Sequence, residues 1–305
     1  MSKKLTVLGS INADHVISVP YFAKPGETLT GSNYHIAYGG KGANQAVAAA
    51  RLGGNVSFIA CIGDDDIGRA MKKAFEQDGI HTDSVIQIAD EMSGIAMIQV
   101  AANGENSIII SAGANAHLNE PLVEQYCDLI SQSDCLLMQL ETPLDAVIKA
   151  AKIAKSAKTK VILNPAPAHA LPDELLSQLD MITPNETEAK ILTGVDVTDQ
   201  KSAVKAAEIF HQKGIETVLI TLGAKGVFYS QNGKGELIDG FRVKAKDTTA
   251  AGDTFNGALA VALLEGQPIN EAIRFAQAAA AISVTREGAQ SSIPTKAETL
   301  AFLNA

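Results

Sequence analysis

Cysteine is scarce in this sequence of 305 residues, where only Cys61, Cys127 and Cys135 are present. The number is odd and no two of them form a C-x-x-C pair, so the sequence predicts neither a disulfide framework nor a zinc site. We interpret all three as small buried hydrophobic residues. This usage fits a reducing compartment, and we expect the protein to be cytoplasmic.

Positive charge is also in short supply. Lysine and arginine number 25 against 34 aspartates and glutamates, which gives a net charge of -9. Because a surface of this sign repels polyanions, nucleic acid is not an expected partner. A small anionic ligand remains compatible with the sequence, since helix N-termini and local lysines can hold one.

Long apolar runs are missing as well. No segment reaches the roughly 18 apolar residues needed to span a membrane, so we expect no membrane partner. The first apolar run, Leu5–Leu8, is soon followed by Ser10, Asn12 and Asp14. It is too short for a signal peptide and predicts a first β-strand.

Apolar runs alternate with alanine-rich stretches along most of the chain, which is 46% hydrophobic and 19% charged. Strands are predicted at Leu5–Leu8, Val56–Ile62, Cys135–Leu140, Val161–Leu163, Asp180–Ile182 and Val218–Leu222. Helices are predicted at Gly42–Leu52, Ile67–Gln77, Pro121–Ser131, Leu144–Ser156, Val204–Gln212, Ala251–Leu264 and Glu271–Arg286. This alternation predicts an α/β fold with a mostly parallel sheet covered by helices on both faces, in one domain over residues 1–305.

Three regions depart from this alternation. Val227–Tyr229 and Glu236–Ile238 flank the turn Asn232-Gly233 and predict antiparallel strands at one edge of the sheet. Residues from about 12–38 and 94–110 show short alternating strand patterns with Gly and Asn turns. These two regions either pair as a small sheet that stands off the main domain, or add edge strands to the main sheet. A separate small sheet would suit a cover that excludes water from a site.

The strongest chemical signal is the segment Asp247–Ala258, with the sequence DTTAAGDTFNGA. The small residues Ala250, Ala251 and Gly252 stand where the unpaired amides of a helix N-terminus favour an anion. Asp253 stands beside this anion hole, where we expect it to be ionised and to accept a proton from an attacking hydroxyl. Taken alone, the segment is equally compatible with a plain capped helix start.

A second glycine-rich turn, Gly39–Ala46 with the sequence GGKGANQA, opens a predicted helix. No Walker G-x-x-x-x-G-K-[ST] loop and no G-x-G-x-x-G dinucleotide fingerprint occurs in the sequence. We expect its glycines to let the backbone approach a polar ligand, and Lys41 and Asn44 to donate hydrogen bonds to that ligand. The alternative is a tight turn with a solvated lysine.

Polar residues also follow two of the predicted strands. Asn12 and Asp14 come after the first strand, and Glu141 comes after Cys135–Leu140. Ligands bind at the carboxyl ends of parallel strands, so these side chains are candidates for hydrogen bonds to vicinal hydroxyls. Each of them taken alone is also compatible with a simple turn.

Asn185 and Glu188 follow the predicted strand Asp180–Ile182. Three residues apart, they share a face at the start of a helix. The pair is predicted either to orient a hydrated Mg²⁺ near phosphates or to cap that helix.

Together these segments resemble the PfkB family of carbohydrate kinases. Both family signatures are present, from Gly39 to Asp64 and from Asp247 to Ala258, and the resemblance runs from Leu5 to about Pro294. It implies the ribokinase-like three-layer α/β/α fold, with a small β-sheet lid that also forms a homodimer contact. It further implies direct in-line transfer of the γ-phosphoryl group from Mg·ATP to the 5-hydroxyl of D-ribose.

The resemblance also implies a role for individual residues. Ribose binding falls to Asn12, Ala13, Asp14, Gly40, Lys41, Gly42, Ala43, Asn44, Glu141 and Asp253. Catalysis falls to Asp253 as the base and to Ala250, Ala251 and Gly252 as the anion hole. ATP binding falls to Asn185, Thr221, Leu222, Gly223, Ala224, Lys225, Gly226, Gly252, Asp253 and Gln277.

Metal ions are implied in the same way. An activating monovalent cation, typically K⁺, would be held by Asp247, Thr249, Ser283, Arg286, Gly288 and Ser292, several of them through backbone carbonyls. Mg²⁺ would be held by Asn185 and Glu188 through water. Gln277 stands where relatives often carry His or Asn, which leaves the adenine contact open.

Other functions are compatible with parts of this pattern. The main alternative is another kinase on the same scaffold, fructokinase-like or adenosine-kinase-like. A non-catalytic sugar or nucleotide sensor would be expected to lose Asp253 or the anion hole, and both are present. A Rossmann dehydrogenase is disfavoured by the missing fingerprint.

Overall fold

The computed structural model describes residues 3–305, which form two β-sheets and a set of covering helices. The strands are β1 (Lys4–Leu8), β2 (Asn12–Val19), β3 (Ser32–Gly39), β4 (Asn55–Gly63), β5 (Val85–Ile88), β6 (Gly94–Ala101), β7 (Asn106–Ser111), β8 (Cys135–Met138), β9 (Lys160–Leu163), β10 (Met181–Ile182), β11 (Thr217–Thr221), β12 (Gly226–Gln231) and β13 (Lys234–Asp239). The helices are α1 (Lys41–Arg51), α2 (Asp66–Gln77), α3 (Glu120–Glu124), α4 (Cys127–Ser131), α5 (Leu144–Ala157), α6 (Asp173–Leu176), α7 (Glu186–Thr193), α8 (Gln200–Gln212), α9 (Ala251–Leu264), α10 (Ile269–Ser283) and α11 (Lys296–Leu303). Within the described range, no helix is long and apolar enough to cross a membrane.

The large sheet has the strand order β13-β12-β11-β10-β9-β8-β1-β4-β5. Its strands from β11 to β5 pair in parallel, whereas β12 is antiparallel to both β11 and β13. The central strands β1, β8 and β9 are almost entirely buried, which explains their continuous runs of Val, Ile and Leu. The predicted parallel sheet with an antiparallel edge is therefore confirmed.

Two apolar cores cover the large sheet. On one face Val47 of α1, Phe75 of α2 and Phe275 of α10 pack over the strands. On the other face Val147 of α5 and Phe210 of α8 do the same. Neighbouring residues of the central strands alternate between the two cores, as the pleat of a strand requires. The predicted three-layer arrangement is confirmed.

The structure corrects one predicted helix. Pro121–Ser131 is not continuous, because α3 ends at Glu124 and the chain leaves helical geometry at Tyr126, with φ -109° and ψ 19°. The Tyr126 side chain packs against the apolar core at this break. The adjacent Cys127 is only half-buried, in contrast to the buried position that we expected for all three cysteines.

The small sheet has the strand order β3-β2-β6-β7 and shares no ladder with the large sheet among residues 3–305. The strands β2 and β6 pair in parallel from Asn12↔Gly94 to Val19↔Ala101, and the outer pairs are antiparallel. The two irregular regions of the sequence thus form a second sheet, as predicted, and do not extend the main one. Strand β2 starts only four residues after β1 ends at Leu8, at the carboxyl edge of the large sheet.

Candidate active site

Most of the predicted sugar-binding residues meet at the carboxyl edge of the large sheet. Glu141, in the loop after β8, accepts hydrogen bonds through Oε2 from Ser10 Oγ (2.6 Å) and from the Lys41 backbone amide (3.0 Å). Asn44 of α1 reaches Asp253 of α9, 209 positions along the chain. The loop after β1, the start of α1 and the start of α9 therefore form one site.

The Asp253 carboxylate is held by two neutral amides. It lies in the first turn of α9 and is only 6% exposed. Its Oδ2 accepts a hydrogen bond from Asn44 Nδ2 at 2.9 Å, and its Oδ1 accepts one from Gln45 Nε2 at 2.9 Å. Hydrogen bonds to a buried carboxylate replace the water that it loses and fix its orientation.

Two backbone amides at the start of α9 lack a partner within the helix. Ala250 adopts the left-handed conformation (φ 57°) and Thr254 N donates to its carbonyl at 2.8 Å. The amides of Gly252 and Asp253 have no acceptor in the helix, because the first turn of any helix lacks one. A Cβ built on Gly252 would meet no atom within 4 Å. Of the three residues of the predicted anion hole, Ala251 already donates its amide to Thr248 O at 3.3 Å, and the binding of an anion here stays a prediction.

Asp14 differs from Asp253 in its surroundings. None of residues 3–305 donates a hydrogen bond to its carboxyl group, although the side chain is nearly buried on β2. Burial, together with the charges of Glu141 and Asp253, raises the pKa of Asp14 to about 7, and nearby Lys41 only partly offsets this. The Asp14 carboxyl group is thus a hydrogen-bond acceptor to which no group of the described chain donates.

Lys41 lies among these acids. Burial alone would lower its pKa, but the carboxylates of Asp253, Glu141, Glu188 and Asp14 outweigh burial and raise it. A cation with this pKa stays protonated at neutral pH. It therefore offsets part of the negative charge that the site concentrates.

Asn115 also belongs to the site, although it was not among the residues predicted from the sequence. It accepts from the Ile11 amide (2.9 Å) and donates through Nδ2 to Ile11 O and to Asn12 Oδ1 (both 2.9 Å). It lies in a short 3₁₀ turn, Gly113–His117, directly after β7 of the small sheet. The signal available in the sequence is a polar residue among small ones after a strand, the same pattern as at Gly39–Asn44.

A cleft of about 320 Å³ opens beside these residues. It is lined by Asn12, Ile110, Ala112, Asn115, Ala116, Leu140, Glu141, Thr142, Pro143 and Pro167. Its wall combines the end of the small sheet with the loop after β8. A separate cavity of about 430 Å³, at the amino edge of the large sheet, contains none of the predicted site residues.

The glycines around Lys41 pack against the protein itself. A Cβ on Gly40, which has φ 90°, would lie 2.7 Å from Asn12 N, and one on Gly42 would lie 2.5 Å from the Gly9 carbonyl carbon. These two glycines therefore allow close packing of α1 on the loop after β1. Ala13 and Ala43 are fully buried at the same place, so ligand contacts by these four residues stay predictions.

Asn185 and Glu188 form the predicted helix cap. Glu188 N donates to Asn185 Oδ1 and Asn185 N donates to Glu188 Oε2, both at 2.8 Å, which makes a capping box at α7. Burial raises the pKa of Glu188, and Asp253 adds to this, while the bond from Asn185 and the charge of Lys41 work against it. Glu188 Oε1 remains outside the box.

The predicted nucleotide segment borders the same edge. Thr221 ends β11 beside Asn185, with which it forms a β-bridge, and a 3₁₀ turn at Gly223–Lys225 leads into β12 at Gly226. Gln277 of α10 donates through Nε2 to a backbone carbonyl of β13 (3.0 Å), and its Oε1 is buried without a partner in the described chain.

The predicted cation residues join two segments next to α9. Asp247 accepts from the amide (2.9 Å) and hydroxyl (2.6 Å) of Thr249 through Oδ1, and from Gly288 N (2.8 Å) through Oδ2. Burial would raise the pKa of Asp247, but these hydrogen bonds hold it below its ordinary value. The guanidinium of Arg286 pairs with Glu298 at 2.7 Å, so its backbone carbonyl is the group left for a cation.

The two remaining predicted cation residues, Ser283 and Ser292, are fully buried. Their hydroxyls donate to the carbonyls of Ala280 (2.9 Å) and Ala289 (2.7 Å). The Ser283 carbonyl in turn accepts from Arg286 N at 3.0 Å, and a role of these two serines in binding a cation stays a prediction.

Comparisons with known proteins agree along the whole chain. Residues 2–296 match the model of the "pfkB family carbohydrate kinase". A ribokinase from Haemophilus influenzae is 69% identical over 303 residues, which cover 99% of each chain. The crystal structure of ribokinase from Thermotoga maritima is similar with a TM-score of 0.91, 42% identity and full coverage of both chains. The structure of Arabidopsis thaliana ribokinase complexed with ribose and ATP gives a TM-score of 0.95 at 35% identity, again over both full chains.

Proposed function

The chain belongs to the pfkB family of carbohydrate kinases, and we propose that it transfers the γ-phosphoryl group of ATP to the 5-hydroxyl of D-ribose. The observation that carries this proposal is the buried Asp253 carboxylate next to the free amides at the start of α9. The ribokinases named above are similar to this chain over their full length, and the structure of one of them is a complex with ribose and ATP. The products are D-ribose 5-phosphate and ADP.

The proposed mechanism is a direct in-line displacement. Asp253 accepts the proton of the attacking hydroxyl, and the anion hole at Ala250, Ala251 and Gly252 stabilises the charge on the transferred group. The transition state of phosphoryl transfer is loose, so positioning and charge stabilisation matter more than a strong base. A carboxylate held by two amides supplies this positioning before the substrate arrives.

Ribose recognition is assigned to the acceptors that lack partners. The Asp14 carboxyl and the buried Asn44 Oδ1 have no hydrogen-bond donor among residues 3–305, and both border the Asp253 carboxylate. Asn12 and Glu141, at the adjoining cleft, complete the set. Because β2 carries Asn12 and Asp14, we propose that the small sheet acts as a lid over the sugar.

A substrate panel tests this assignment. ADP release is measured with ribose, 2-deoxyribose, fructose and adenosine, and ribose should give the highest kcat/KM. A clear advantage for fructose or adenosine would overturn the ribose assignment and leave the kinase assignment standing. No ADP release with any of the four would overturn both.

Mg²⁺ is proposed as the partner of the ATP phosphates. No cluster of three or more His, Cys, Asp or Glu in residues 3–305 is arranged to hold a metal ion directly. The residues present fit an ion held through its waters, since Glu188 Oε1 is free of the capping box. When bound, Mg²⁺ would neutralise phosphate charge.

We also propose the cytoplasm as the compartment, because all three cysteines are free and ATP is the co-substrate.

K⁺ is proposed as an activator at the segments around Asp247 and Gly288. Asp247 is ionised and ties these segments together, so backbone carbonyls from both are available to a monovalent cation. A bound cation would support the adjacent start of α9. Replacing K⁺ by Na⁺ or by a large organic cation should lower kcat, and unchanged activity would overturn the proposal.

A homodimer through the small sheet is proposed from its exposed apolar face. Tyr34, Ile36, Met97 and Ile109 are 58%, 44%, 53% and 69% exposed, and the strand register places them on one side of the sheet. Contiguous apolar surface of this kind marks an interface. Two copies that cover each other's sheet would bury it.

Sedimentation of Ile109→Lys tests the dimer. The charge in the interface should convert a dimeric wild type into a monomer. The matched control is Ile191→Lys on α7, where a similarly exposed isoleucine (53%) lies outside the small sheet. A monomeric wild type at micromolar concentration would contradict the proposal.

A further inference from the structure

A chain of buried polar side chains lies behind Asp253. It consists of Gln45, Gln139, Asn164, Thr183 and Asn256, and we call it the buried amide network. Gln45 belongs to α1 and Asn256 to α9, while the other three follow β8, β9 and β10. None of the five was a candidate site residue in the sequence. All are almost fully buried, so their hydrogen bonds must be made within the protein.

The first branch of the network sets the orientation of Gln45. Gln139 Nε2 donates to Gln45 Oε1 at 2.6 Å, which directs the nitrogen of the Gln45 amide to the other side. That nitrogen donates to Asp253 Oδ1 (2.9 Å) and to Asn164 Oδ1 (3.0 Å). Both protons of the Gln45 amide are therefore used. Gly9 is required beside this branch, because a Cβ there would collide with Gln139 Oε1.

The second branch returns to the first turn of α9. Asn164 Nδ2 donates to Thr183 O (3.2 Å), and Thr183 Oγ1 donates to Asn256 Oδ1 (2.6 Å). Asn256 Nδ2 then donates to Gly252 O at 2.8 Å. The network thus holds the Asp253 carboxylate at one end and the backbone of the anion hole at the other.

The two oxygens of Asp253 have different neighbours. Oδ1 is bound by Gln45, which is completely buried, whereas Oδ2 is bound by Asn44, whose own Oδ1 still lacks a partner. The charged groups that act on this region are Asp14, Lys41, Glu141 and Glu188. Oδ2 therefore lies on the ligand side and Oδ1 on the protein side.

We propose that Gln45 is a positioning residue, which holds Asp253 Oδ1 so that Oδ2 accepts the proton of the attacking hydroxyl. In this step the O–H bond of the sugar breaks and its proton passes to Oδ2. The sugar oxygen forms a bond to the γ-phosphorus, and the bond from that phosphorus to the bridging oxygen breaks, with its electron pair leaving on ADP. This inference rests on the proposed function and adds a division of labour between the two carboxylate oxygens.

Single-turnover rates of Gln45→Met as a function of pH test the proposal. Methionine is similar in size but cannot donate, so the rate should fall by roughly 10- to 100-fold, as for loss of a hydrogen bond to a charged group. The pH profile of the rate should also differ from that of the wild type, because the lost hydrogen bond acts on the carboxylate that accepts the proton. Ribose affinity should change little.

Two further variants separate positioning from packing. In Gln45→Glu the new carboxyl group donates only while it is protonated, so the rate should fall as pH rises. Thr6→Val is the control, because it removes a buried hydrogen bond to Ser133 (2.7 Å) near the opposite edge of the sheet. Its stability should drop while its rate and pH profile stay those of the wild type.

The outcomes are distinct. A wild-type rate and profile in Gln45→Met, or an equal loss of rate in Thr6→Val, would overturn the positioning role. Thermal melting checks that each variant folds, and if Gln45→Met does not, the pH dependence of Gln45→Glu decides. Failure of the unmodified chain to phosphorylate ribose would instead overturn the proposed function.

Discussion

Two carboxylates face the proposed ribose site, and the protein treats them in opposite ways. Asp253, on the helical scaffold, has both oxygens bound by amides of α1. Asp14, on the small sheet, has no donor in the described chain, and its burial raises its pKa to about 7. The group assigned to the chemistry is therefore oriented in advance, whereas the group assigned to binding depends on its ligand.

The largest effect should come from the scaffold side. Asp253→Asn removes the proton acceptor but keeps the size of the side chain, so kcat should fall by about 10²- to 10⁴-fold. Ribose affinity measured by calorimetry should stay close to that of the wild type. Asp66→Asn, at an exposed acid in the first turn of α2, is the control. Normal turnover in Asp253→Asn would show that the base is assigned wrongly.

The small-sheet side should respond in binding. Asp14→Asn removes a charged acceptor of sugar hydroxyls, which should raise the KM for ribose by about 10- to 100-fold. The effect on kcat should be far smaller than that of Asp253→Asn. Steady-state kinetics with varied ribose separate the two constants. A loss confined to kcat would contradict the assignment of Asp14 to binding and of Asp253 to the chemistry.

The pH dependence of ribose affinity should also distinguish Asp14 from Asp253. Sugar hydroxyls donate to the ionised form of Asp14, so affinity should increase as pH rises and level off above about 7. Below that pH the dissociation constant should change by up to about tenfold per pH unit. Calorimetry between acidic and mildly alkaline pH measures it. Asp14→Asn should flatten the curve, and a wild-type affinity independent of pH would contradict the role of Asp14.

A further effect is expected in the stability of the ligand-free protein. Asp14 has a pKa of about 7 when folded against an ordinary value of 3.8, so the native state binds its proton more tightly than the unfolded chain. Stability is therefore lost as pH rises from about 4 to 7, and the loss is complete above that range. Asp14→Asn should raise the free energy of unfolding at pH 8 by roughly 1–4 kcal/mol and leave it unchanged at pH 4. Denaturant melts at both values measure this difference, and equal effects at the two pH values would contradict it.

Much of the fold followed from the sequence because its signals are local. Continuous apolar strands such as Val161–Leu163 and alanine-rich helices such as Ala251–Leu264 are where the pattern predicts them. The site residues with a local signature, Asn44 and Asp253, were also identified and lie in contact. In these cases the local motif was enough to mark the residue as a candidate, and its role stays a prediction.

The missed features depend on tertiary contacts. Gln45 adjoins Asn44 in sequence, and nothing local indicates that it reaches Asp253 Oδ1 or that Gln139 orients it. Asn115 joins the site from a turn after β7, about 100 residues away from its partners. Gly42 packs closely on the loop at Gly9, a contact that nothing in the local sequence indicates. Pairings between distant segments leave no periodic trace in a single sequence.

The small sheet is joined to the loop after β1 at Asn12, where β2 starts. A rotation of the small sheet about Asn12, which lines the proposed ribose cleft, would move the strand that ends at Val19. At roughly 3.3 Å per residue this strand is about 25 Å long, so a rotation of about 10° at Asn12 would move its far end by about 4 Å. Parallel pairing with β6 along the whole of β2 makes the strand stiff. A small adjustment around the sugar would therefore be magnified into a large displacement at the far end of the sheet.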